Sequence, residues 1–365
     1  MTDRPILLAA GGTGGHLFPA EALAAALAER GEAVALVSDR RVEGLSARFP
    51  GAVHAVRAAT VTGKGIVGKL RSMAMLGVGF IESALLIRRL RPRAVVGFGG
   101  YPSVPPVLAA SLLGVPTVLQ EQNAVMGRAN RFLAGRVSRI STAFPKVQLT
   151  GEAVASKCVM TGVPVRPAVI EASKTAYEAP TAEGRFRLLV FGGSQGARIF
   201  ADVVPGAVAR LDKTLVNRLE IVQQCRAEDI EKTRFAYDAA GARAELKSFF
   251  DDLPARIASA HLVIARSGAS TVAELGVIGR PAILVPLPGA IDNDQLMNAS
   301  AFVQGGAGWL IPQTSFNPTR LAELLQTVLA DAPGLADKAA RARRLGNADA
   351  AGTLADLVLA TAAAQ

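Results

Sequence analysis

Cysteine and aromatic side chains are scarce in this chain. Only 2 of its 365 residues are cysteine, Cys158 and Cys225, and they lie far apart in unlike contexts. Two such cysteines make neither a disulfide framework nor a metal-binding knuckle, which favours a reducing compartment such as the cytoplasm. Aromatic residues make up 5% of the chain. That shortage argues against the stacking platforms that bind single-stranded nucleic acid, and we expect no nucleic-acid partner.

A hydrophobic run that could cross a membrane is also missing. Residues 94–120 carry no charge, but they include four prolines and four glycines. A spanning helix must satisfy its backbone internally, and this density of helix breakers argues against one. The first apolar run, residues 6–10, is too short for the hydrophobic segment of a signal peptide. We therefore expect neither a transmembrane segment nor a signal peptide.

Acidic residues are outnumbered by basic ones. The chain has 40 Lys and Arg against 30 Asp and Glu, a net charge of +10, and a pI near 10.1. Such an excess favours partners that carry phosphate, such as a nucleotide or an anionic membrane face. Half of the residues are hydrophobic, which excludes a mostly disordered protein. At about 150 residues per domain, the length indicates two domains or one large one.

Short apolar runs alternate with helical patterns, which is typical of βα units around a parallel sheet. Strands are predicted at residues 7–10, 34–38, 94–98, 117–120, 188–191, 220–224, 262–265 and 282–286. The first helix is predicted from about residue 19 to residue 30, because proline is favoured at a helix start and Gly31 follows as a stop.

The two halves of the chain carry a weak internal repeat. The strand and Gly-Gly-hydroxyl loop of residues 7–15 recur in outline at residues 188–196, and a linker-like segment lies between them. The repeat predicts two Rossmann-like domains, at 1–163 and 164–344, with parallel sheets facing each other across a cleft. A helix at about 345–365 could pack back on the first domain.

Four glycine loops each follow a predicted strand and open a helix: residues 11–15, 97–101, 192–196 and 267–271. The backbone amides of such loops can approach an anion, and the helix dipole adds partial positive charge. One loop alone is weak evidence, since tight βα turns use glycine without binding anything. Four loops at the carboxyl ends of parallel strands are harder to dismiss and indicate a phosphate ligand.

A dinucleotide-binding fold is the main alternative interpretation of these glycine loops. Asp39 closes the second strand roughly where a ribose-binding acid would lie. However, the first loop reads Gly-Gly-Thr-Gly-Gly-His, which is not the G-x-G-x-x-G spacing, and the P-loop motif does not occur. Motif spacing therefore argues against nicotinamide chemistry.

An ordered set of motifs carries a family likeness: Gly11-Gly12-Thr13-Gly14-Gly15-His16, Gly99-Gly100-Tyr101, Glu121-Gln122-Asn123, Gly162-Val163-Pro164-Val165-Arg166, Gly192-Gly193-Ser194-Gln195-Gly196-Ala197-Arg198 and Arg266-Ser267-Gly268-Ala269-Ser270-Thr271. The set spans most of the chain and closely resembles the MurG family, N-acetylglucosaminyltransferases that make lipid II for peptidoglycan. The resemblance implies a GT-B type fold, with the acceptor bound by the N-terminal domain and the UDP-sugar mainly by the C-terminal one.

The resemblance also implies a reaction. N-acetylglucosamine would pass from UDP-N-acetylglucosamine to the C4 hydroxyl of undecaprenyl-diphosphoryl-N-acetylmuramyl-pentapeptide (lipid I), with inversion to a β-1,4 linkage and without a metal or cofactor. The implied partners are these two substrates, an anionic membrane surface, and proteins of cell-wall synthesis and division. The implied location is peripheral, on the cytoplasmic face of the bacterial inner membrane.

By motif position, the resemblance places Thr13, Gly14 and Gly15 at the donor cleft, and it implies that Asn123 and Gln295 bind the donor sugar. Arg166 would bind the uridine end, Ser194 the diphosphate, Glu274 the ribose hydroxyls, and the backbone of Phe250 the uracil edge. The helix start at Ala269, Ser270 and Thr271 would stabilise the departing UDP. Weaker acceptor-side candidates are Lys64, Gly99, Gly100 and Tyr101. A carboxylate suits a vicinal diol, and the less favoured alternative is that Glu274 is a solvated helix residue.

One position departs from the family pattern. The segment Asp292-Asn293-Asp294-Gln295 has aspartate where the family often carries the first of two glutamines, which leaves the details of sugar recognition open. The same residues spell D-x-D, the metal motif of the other large glycosyltransferase class. We interpret this as a coincidence, because the glycine loops supply the phosphate contacts.

His16 is the candidate general base. It is one of three histidines, and the contexts of His54 and His261 favour structural roles for them. An unperturbed imidazole titrates near neutrality and could take a proton from the acceptor hydroxyl. Equally, His16 could hydrogen-bond a neighbouring loop or the acceptor diphosphate.

Residues 63–93 are the candidate membrane segment. Residues 73–81 are uncharged, and basic residues flank them on both sides. An exposed apolar patch with a basic rim suits insertion into an anionic leaflet, whereas a fully buried core helix is the alternative.

Two other functions stay open from the residues alone. One is a different UDP-sugar enzyme on the same scaffold, either a glycolipid transferase or an epimerase. The other is a catalytically silent scaffold that binds nucleotide-sugar and membrane.

Overall fold

The computed structural model describes residues 4–11, 14–39, 49–58, 66–193 and 196–364. It contains two compact units. The first unit comprises Met1–Arg166 together with Ala348–Gln365, and the second comprises Pro167–Asn347. Each unit is built around one parallel β-sheet with helices on its faces.

Seven parallel strands form the sheet of the first unit: β1 (Ile6–Ala9), β2 (Val34–Ser38), β3 (Ala52–Ala55), β4 (Ala94–Gly97), β5 (Thr117–Glu121), β6 (Arg139–Thr142) and β7 (Cys158–Met160). Their order across the sheet is β3-β2-β1-β4-β5-β6-β7. The helices between them are α1 (Gly14–Glu29), α2 (Ile66–Leu90), α3 (Val104–Leu112), α4 (Arg128–Leu133) and α5 (Glu152–Ala155).

The central strand β1 is fully buried because both of its faces are covered. Ile6 and Leu8 belong to one hydrophobic cluster, with side chains of α1 and of the last helix of the chain. Leu7 and Ala9 belong to the cluster on the opposite face, with side chains of α2 and α3. A strand buried on both faces reads as a continuous apolar run rather than as an alternating one, which is why the sequence revealed it.

Six parallel strands form the sheet of the second unit: β8 (Phe186–Phe191), β9 (Leu219–Gln224), β10 (Arg243–Lys247), β11 (Leu262–Ala265), β12 (Ala282–Leu284) and β13 (Gly308–Leu310). Their order is β10-β9-β8-β11-β12-β13. The helices of this unit are α6 (Pro167–Ala172), α7 (Arg198–Val208), α8 (Lys213–Val216), α9 (Ile230–Ala239), α10 (Leu253–Ser259), α11 (Ala269–Ile278), α12 (Asp294–Gln304), α13 (Pro318–Ala330) and α14 (Ala332–Leu345).

The last helix, α15 (Ala350–Ala363), belongs to the first unit although it follows the second in sequence. Its buried side chains Leu354, Ala355 and Val358 share the hydrophobic cluster of β1 and α1. Both ends of the chain therefore contribute to one core.

The start of α1 differs from the sequence prediction. The helix begins at Gly14, not near residue 19, and Pro19 lies inside it. A proline removes one backbone hydrogen bond of the helix, and α1 continues past it to Glu29. The earlier start places His16 within the first turn of the helix.

A buried arginine ties the linker segment to the rest of the second unit. Arg280 is 2% exposed. Its guanidinium donates to the carbonyl oxygens of Ala258, Ile278, Gly279, Thr175 and Ala176. The ring of Tyr177 lies 5.4 Å from its Cζ atom. Burial lowers the pKa of Arg280 to about 10, so the group stays charged at neutral pH.

We expect Arg280→Met to lower the melting temperature of the second unit, because each buried carbonyl left without a donor costs about 1–3 kcal/mol. Arg341 is the matched control, since it is exposed and its Nε donates to Asp337 at 2.6 Å. An exposed pair of this kind contributes less than about 1 kcal/mol, so Arg341→Met should melt almost like the parent in scanning calorimetry. Equal losses in the two variants would contradict the role given to Arg280.

Candidate functional site

Each sheet has a point where the strand order reverses. It lies between β1 and β4 in the first unit and between β8 and β11 in the second. In open parallel sheets, ligands bind at the carboxyl ends of the strands beside this point, because the loops diverge there and leave a crevice. The four predicted glycine loops follow these four strands, so each unit brings two of them to its own reversal point.

In the first unit, a pair of glycines makes room for the ring of His16. Gly99 and Gly100 have φ values of 85° and 73°, a conformation that glycine adopts without strain. A Cβ atom on Gly100 would lie 3.2 Å from Cδ2 of His16, and one on Gly99 would lie 3.4 Å from Cε1. The loop after β4 therefore lets the imidazole of α1 lie directly against its backbone.

His16 is held in its neutral form by its surroundings. Burial lowers the pKa of His16, and the carbonyl of Phe98 acts more weakly in the opposite direction. At neutral pH the imidazole is therefore uncharged and keeps a lone pair that can accept a proton. That state is the one required of a general base.

Glu121 organises the loop that follows β5. Its carboxylate accepts from the backbone N–H groups of Asn123 at 3.0 Å and Gly127 at 2.9 Å, and from Nδ2 of Asn130 at 2.8 Å. Burial raises the pKa of Glu121, while these hydrogen bonds oppose the rise. The loop carrying Asn123 is thus folded around one carboxylate. The motif Glu121-Gln122-Asn123 did not by itself predict this structural role of Glu121. The signal for it in the sequence was a charged residue at the end of a buried strand.

In the second unit, α11 begins beside β11 with a bare N-terminus. Its first residues are Ala269, Ser270 and Thr271, all partly exposed. Gly268 precedes them in an extended conformation, and within the described part of the chain no side chain caps this helix start. Free N–H groups and the helix dipole make such a terminus a ready site for an anion.

Gln295 is positioned against the same helix start. Its backbone carbonyl accepts from Oγ of Ser267 at 2.8 Å, and its Oε1 accepts from the backbone N–H of Leu287 at 3.0 Å. Asn298 donates to the carbonyl of Ser267 at 3.1 Å. The structure therefore brings α12 and the loop before α11 together.

Glu274 is buried on α11, at 7% exposure. The alternative of a solvated helix residue is therefore wrong. A carboxylate is costly to bury, so its position near the reversal point calls for polar partners.

Phe250 lies in the loop after β10 and is also buried. The guanidinium of Arg256 covers its ring at 4.3 Å from the centroid. Arg256 in turn pairs with Asp252 and Glu245, at 2.7 Å each. This clamp fixes the backbone of residues 248–252 at the carboxyl edge of the sheet.

The remaining candidates are distributed as follows. Thr13, Lys64 and Ser194 lie outside the described residues. Gly14 and Gly15 begin α1, and Tyr101 begins a short 3₁₀ helix after β4. Arg166 lies in the first unit, with its Cζ atom 5.0 Å from the ring centroid of Phe18.

The D-x-D segment forms the start of α12. Asp292 and Asn293 have positive φ values of 55° and 56° and lead into the helix at Asp294. Burial and the neighbouring Asp292 raise the pKa of Asp294. Among the residues the structure describes, no three His, Cys, Asp or Glu side chains are grouped so as to hold a metal ion.

Family models match both units. The model of the glycosyltransferase family 28 N-terminal domain matches residues 6–142, and that of the family 28 C-terminal domain matches residues 187–354. The chain belongs to glycosyltransferase family 28.

Within that family the similarity is to MurG proteins. The chain is 55% identical to a protein of Methylobacterium sp. (strain 4-46) and 52% identical to one of Rhodopseudomonas palustris (strain BisB18). Both are named UDP-N-acetylglucosamine–N-acetylmuramyl-(pentapeptide) pyrophosphoryl-undecaprenol N-acetylglucosamine transferase. The alignments cover 98% of this chain, with 97% of the first relative and 96% of the second.

The fold of this chain is also similar to that of a solved MurG structure. The crystal structure of MurG from Acinetobacter baumannii superposes with a TM-score of 0.80 at 28% identity, covering 98% of this chain and 99% of that one. The resemblance to the MurG family and the GT-B type fold class, with two parallel-sheet Rossmann-like units, are therefore confirmed.

The other two histidines have structural surroundings. Nδ1 of His261 accepts from the backbone N–H of Arg187 at 3.0 Å, which requires an unprotonated nitrogen. Burial and the cations of Arg187 and Arg280 lower the pKa of His261 to about 4. Burial and the cation of Arg89 likewise lower the pKa of His54 on β3.

The folded state should therefore lose stability in acid. Because the pKa of His261 is lower in the folded chain than in the unfolded one, the unfolded state binds more protons between about pH 6.5 and 4. The stabilising hydrogen bond is fully present above that window and is lost as the pH falls through it. We expect the melting temperature to drop over this range, and to drop less in His261→Asn, whose amide oxygen can accept without titrating. Parallel melting curves against pH would contradict this.

Proposed function

We propose that this chain transfers N-acetylglucosamine from UDP-N-acetylglucosamine to the C4 hydroxyl of the undecaprenyl-linked N-acetylmuramyl-pentapeptide, forming a β-1,4 linkage with inversion. The observation that carries the proposal is 55% identity over 98% of the chain with a relative whose name gives this donor, this acceptor and the transfer of N-acetylglucosamine. The groups at the two reversal points support the proposal. The first unit has the neutral imidazole of His16, and the second has an anion site at the start of α11.

The second unit suits the donor. The diphosphate would lie against the bare N-terminus of α11 and the loop at residues 192–196, with the uracil edge on the backbone of Phe250. Glu274 would accept hydrogen bonds from the ribose hydroxyls. Preorganised amides stabilise charge where it develops, so this arrangement would favour departure of UDP. In this proposal Asn123, Gln295 and Arg166 contact the donor as the family motifs imply.

The first unit suits the acceptor. The neutral imidazole of His16 would take the proton from the C4 hydroxyl as its oxygen attacks the anomeric carbon. The bond from that carbon to the diphosphate oxygen breaks in the same displacement, and its electron pair leaves with UDP. Displacement from the face opposite the leaving group inverts the configuration.

A transfer assay tests the proposal. Purified full-length chain is incubated with UDP-N-acetylglucosamine and a soluble lipid I analogue, and UDP and disaccharide are quantified. Acceptor-dependent release of UDP in step with disaccharide is expected. Conversion of the donor sugar without acceptor would instead identify an epimerase, and no turnover with intact donor binding would identify a silent scaffold.

His16→Gln should lower kcat by about 10²–10⁴-fold, the usual contribution of a general base. Donor affinity measured by calorimetry should change far less, because the role proposed for His16 is to take the proton of the acceptor hydroxyl. His54→Gln, on the edge strand β3, is the matched control and should leave kcat near that of the parent. If His16→Gln weakens donor binding as much as turnover, His16 is a binding residue and not the base.

The surface of α2 supports attachment to a membrane. Its buried face carries Ser72, Gly79 and Ser83, which are small. Two of its large apolar side chains point outward, with Ile81 59% and Leu85 60% exposed, whereas Ile87 is buried in the core. The helix is therefore only partly buried, and the alternative of a fully buried core helix is wrong.

Close packing explains this orientation. A Cβ atom on Gly79 would lie 1.9 Å from the carbonyl oxygen of Arg57, and Oγ of Ser83 donates to the carbonyl of Gly79 at 2.6 Å. Larger side chains would not fit at these two positions. Exposed Arg88 and Arg89 follow the apolar stripe Val78, Ile81 and Leu85 at the end of the helix.

We propose that this stripe inserts into the anionic leaflet on the cytoplasmic face of the inner membrane, with the arginines at the headgroups. An apolar face with a basic border binds such surfaces by burial and by charge. None of the described helices has the length and hydropathy needed to cross a bilayer. A lipid-linked acceptor requires the enzyme at this surface.

Ile81→Asp combined with Leu85→Asp should abolish cosedimentation with vesicles containing anionic phospholipid. Leu112→Asp is the matched control, because Leu112 is 65% exposed on the same unit but lies outside the stripe. Arg88→Gln with Arg89→Gln should weaken binding by about 10-fold or more, at about 1 kcal/mol per charge. Unchanged partitioning of the double aspartate variant would overturn the membrane assignment.

A further inference from the structure

The side-chain amide of Gln224 joins two loops at the carboxyl edge of the second sheet. Gln224 ends β9, which lies between β8 and β10. Its Oε1 accepts from the backbone N–H of Gly192 at 3.1 Å, and its Nε2 donates to the carbonyl of Ser248 at 3.2 Å. Gln224 is 6% exposed, so its amide is largely shielded from water.

The side-chain hydrogen bonds of Gln224 lie just beyond the last backbone pair of β8 and β9. The last registered pair is Val190 with Gln223, so Gly192 is beyond the reach of the backbone ladder. The amide of Gln224 then spans the gap that the diverging strands leave. On the other side β10 pairs through Lys247, and Ser248 is the next residue.

The residue before α7 lies against Gly192. A Cβ atom on Gly192 would lie 2.3 Å from the backbone nitrogen of Ala197. Gly193 and Gly196 have φ values of 85° and 67°, which glycine accommodates. A shift of the anchored N–H group of Gly192 would therefore also move the start of α7.

The loop after Ser248 is held from its other end. Phe250 is covered by Arg256, which is paired with Asp252 and Glu245. Gln224 fixes the carbonyl at the beginning of this loop. One neutral amide, with one acceptor and one donor, thus links the two loops.

We propose that Gln224 is a positioning residue for the donor, which sets the spacing between the diphosphate loop and the uracil loop. The inference rests on the proposed function, in which UDP contacts both loops and uridine contacts only the second. A ligand that contacts both loops binds more tightly when their spacing is correct, because the second contact then costs little additional ordering. The affinity of a ligand that contacts only one loop does not depend on this spacing.

The test is calorimetry of the full-length chain with UDP-N-acetylglucosamine, UDP and uridine. Gln224→Met removes both hydrogen bonds, and Gln224→Glu keeps the acceptor but sets a carboxylate against the carbonyl of Ser248. In both variants we expect the Kd for UDP and for its sugar conjugate to rise about tenfold, as the loss of a buried hydrogen bond predicts. The Kd for uridine should change by less than about twofold, and kcat at saturating donor should be retained.

Tyr237→Phe is the matched control. Its hydroxyl is buried and donates to Oε1 of Gln223, the neighbour of Gln224 on the same strand. This variant should lower the melting temperature without changing any of the three affinities. Equal weakening of uridine and UDP in the Gln224 variants, or the same change in Tyr237→Phe, would overturn the positioning role.

A measurement on the unaltered chain keeps the test independent of whether the variants fold. Saturating uridine should slow amide hydrogen exchange at residues 190–193 as well as at 248–252, because Gln224 transmits the ordering of one loop to the other. Protection confined to 248–252 would overturn the inference while leaving the proposed function intact. A chain that binds none of the three ligands would instead refute the proposed function.

Discussion

Parallel strands that end together are the constraint on which both candidate sites depend. All strand pairs of the two sheets run parallel, so the loops after β1 and β4, and those after β8 and β11, emerge side by side. A helix that starts immediately after such a strand presents unpaired N–H groups to the same crevice. The backbone alone therefore supplies an anion site at the start of α11, and side chains are left to provide selectivity and proton transfer.

Polar side chains give these edges their fixed geometry. Glu121 gathers the amides of its loop, Gln224 bridges two loops, and Arg256 covers Phe250. Glu121 and Gln224 thereby satisfy backbone groups that would otherwise be buried without partners, which is costly. Rigid loops lose little freedom on binding, so a fixed site of this kind is favourable for a flexible nucleotide ligand. The same principle explains Arg280, whose many carbonyl acceptors hold the linker in place.

The sequence was informative where local pattern decides structure. The strands β1, β4, β8 and β11 are continuous apolar runs followed by glycine loops, and both features are visible without coordinates. Strands β3, β6, β7, β10 and β13 escaped prediction because they are short or carry exposed residues. The neutral state of His16 depends on a loop more than eighty residues away in sequence. Gln224 carries no motif, and its role follows only from which strands are neighbours.

The return of α15 to the first unit has a consequence for biosynthesis. The core beneath β1 includes Leu354 and Val358, which are synthesised after the whole second unit. On the ribosome, the core of the N-terminal unit therefore stays incompletely covered while the second unit emerges and folds as a domain of its own. Its hydrophobic surface is covered only when α15 has followed, so termination before α15 would damage the half of the enzyme that was translated first.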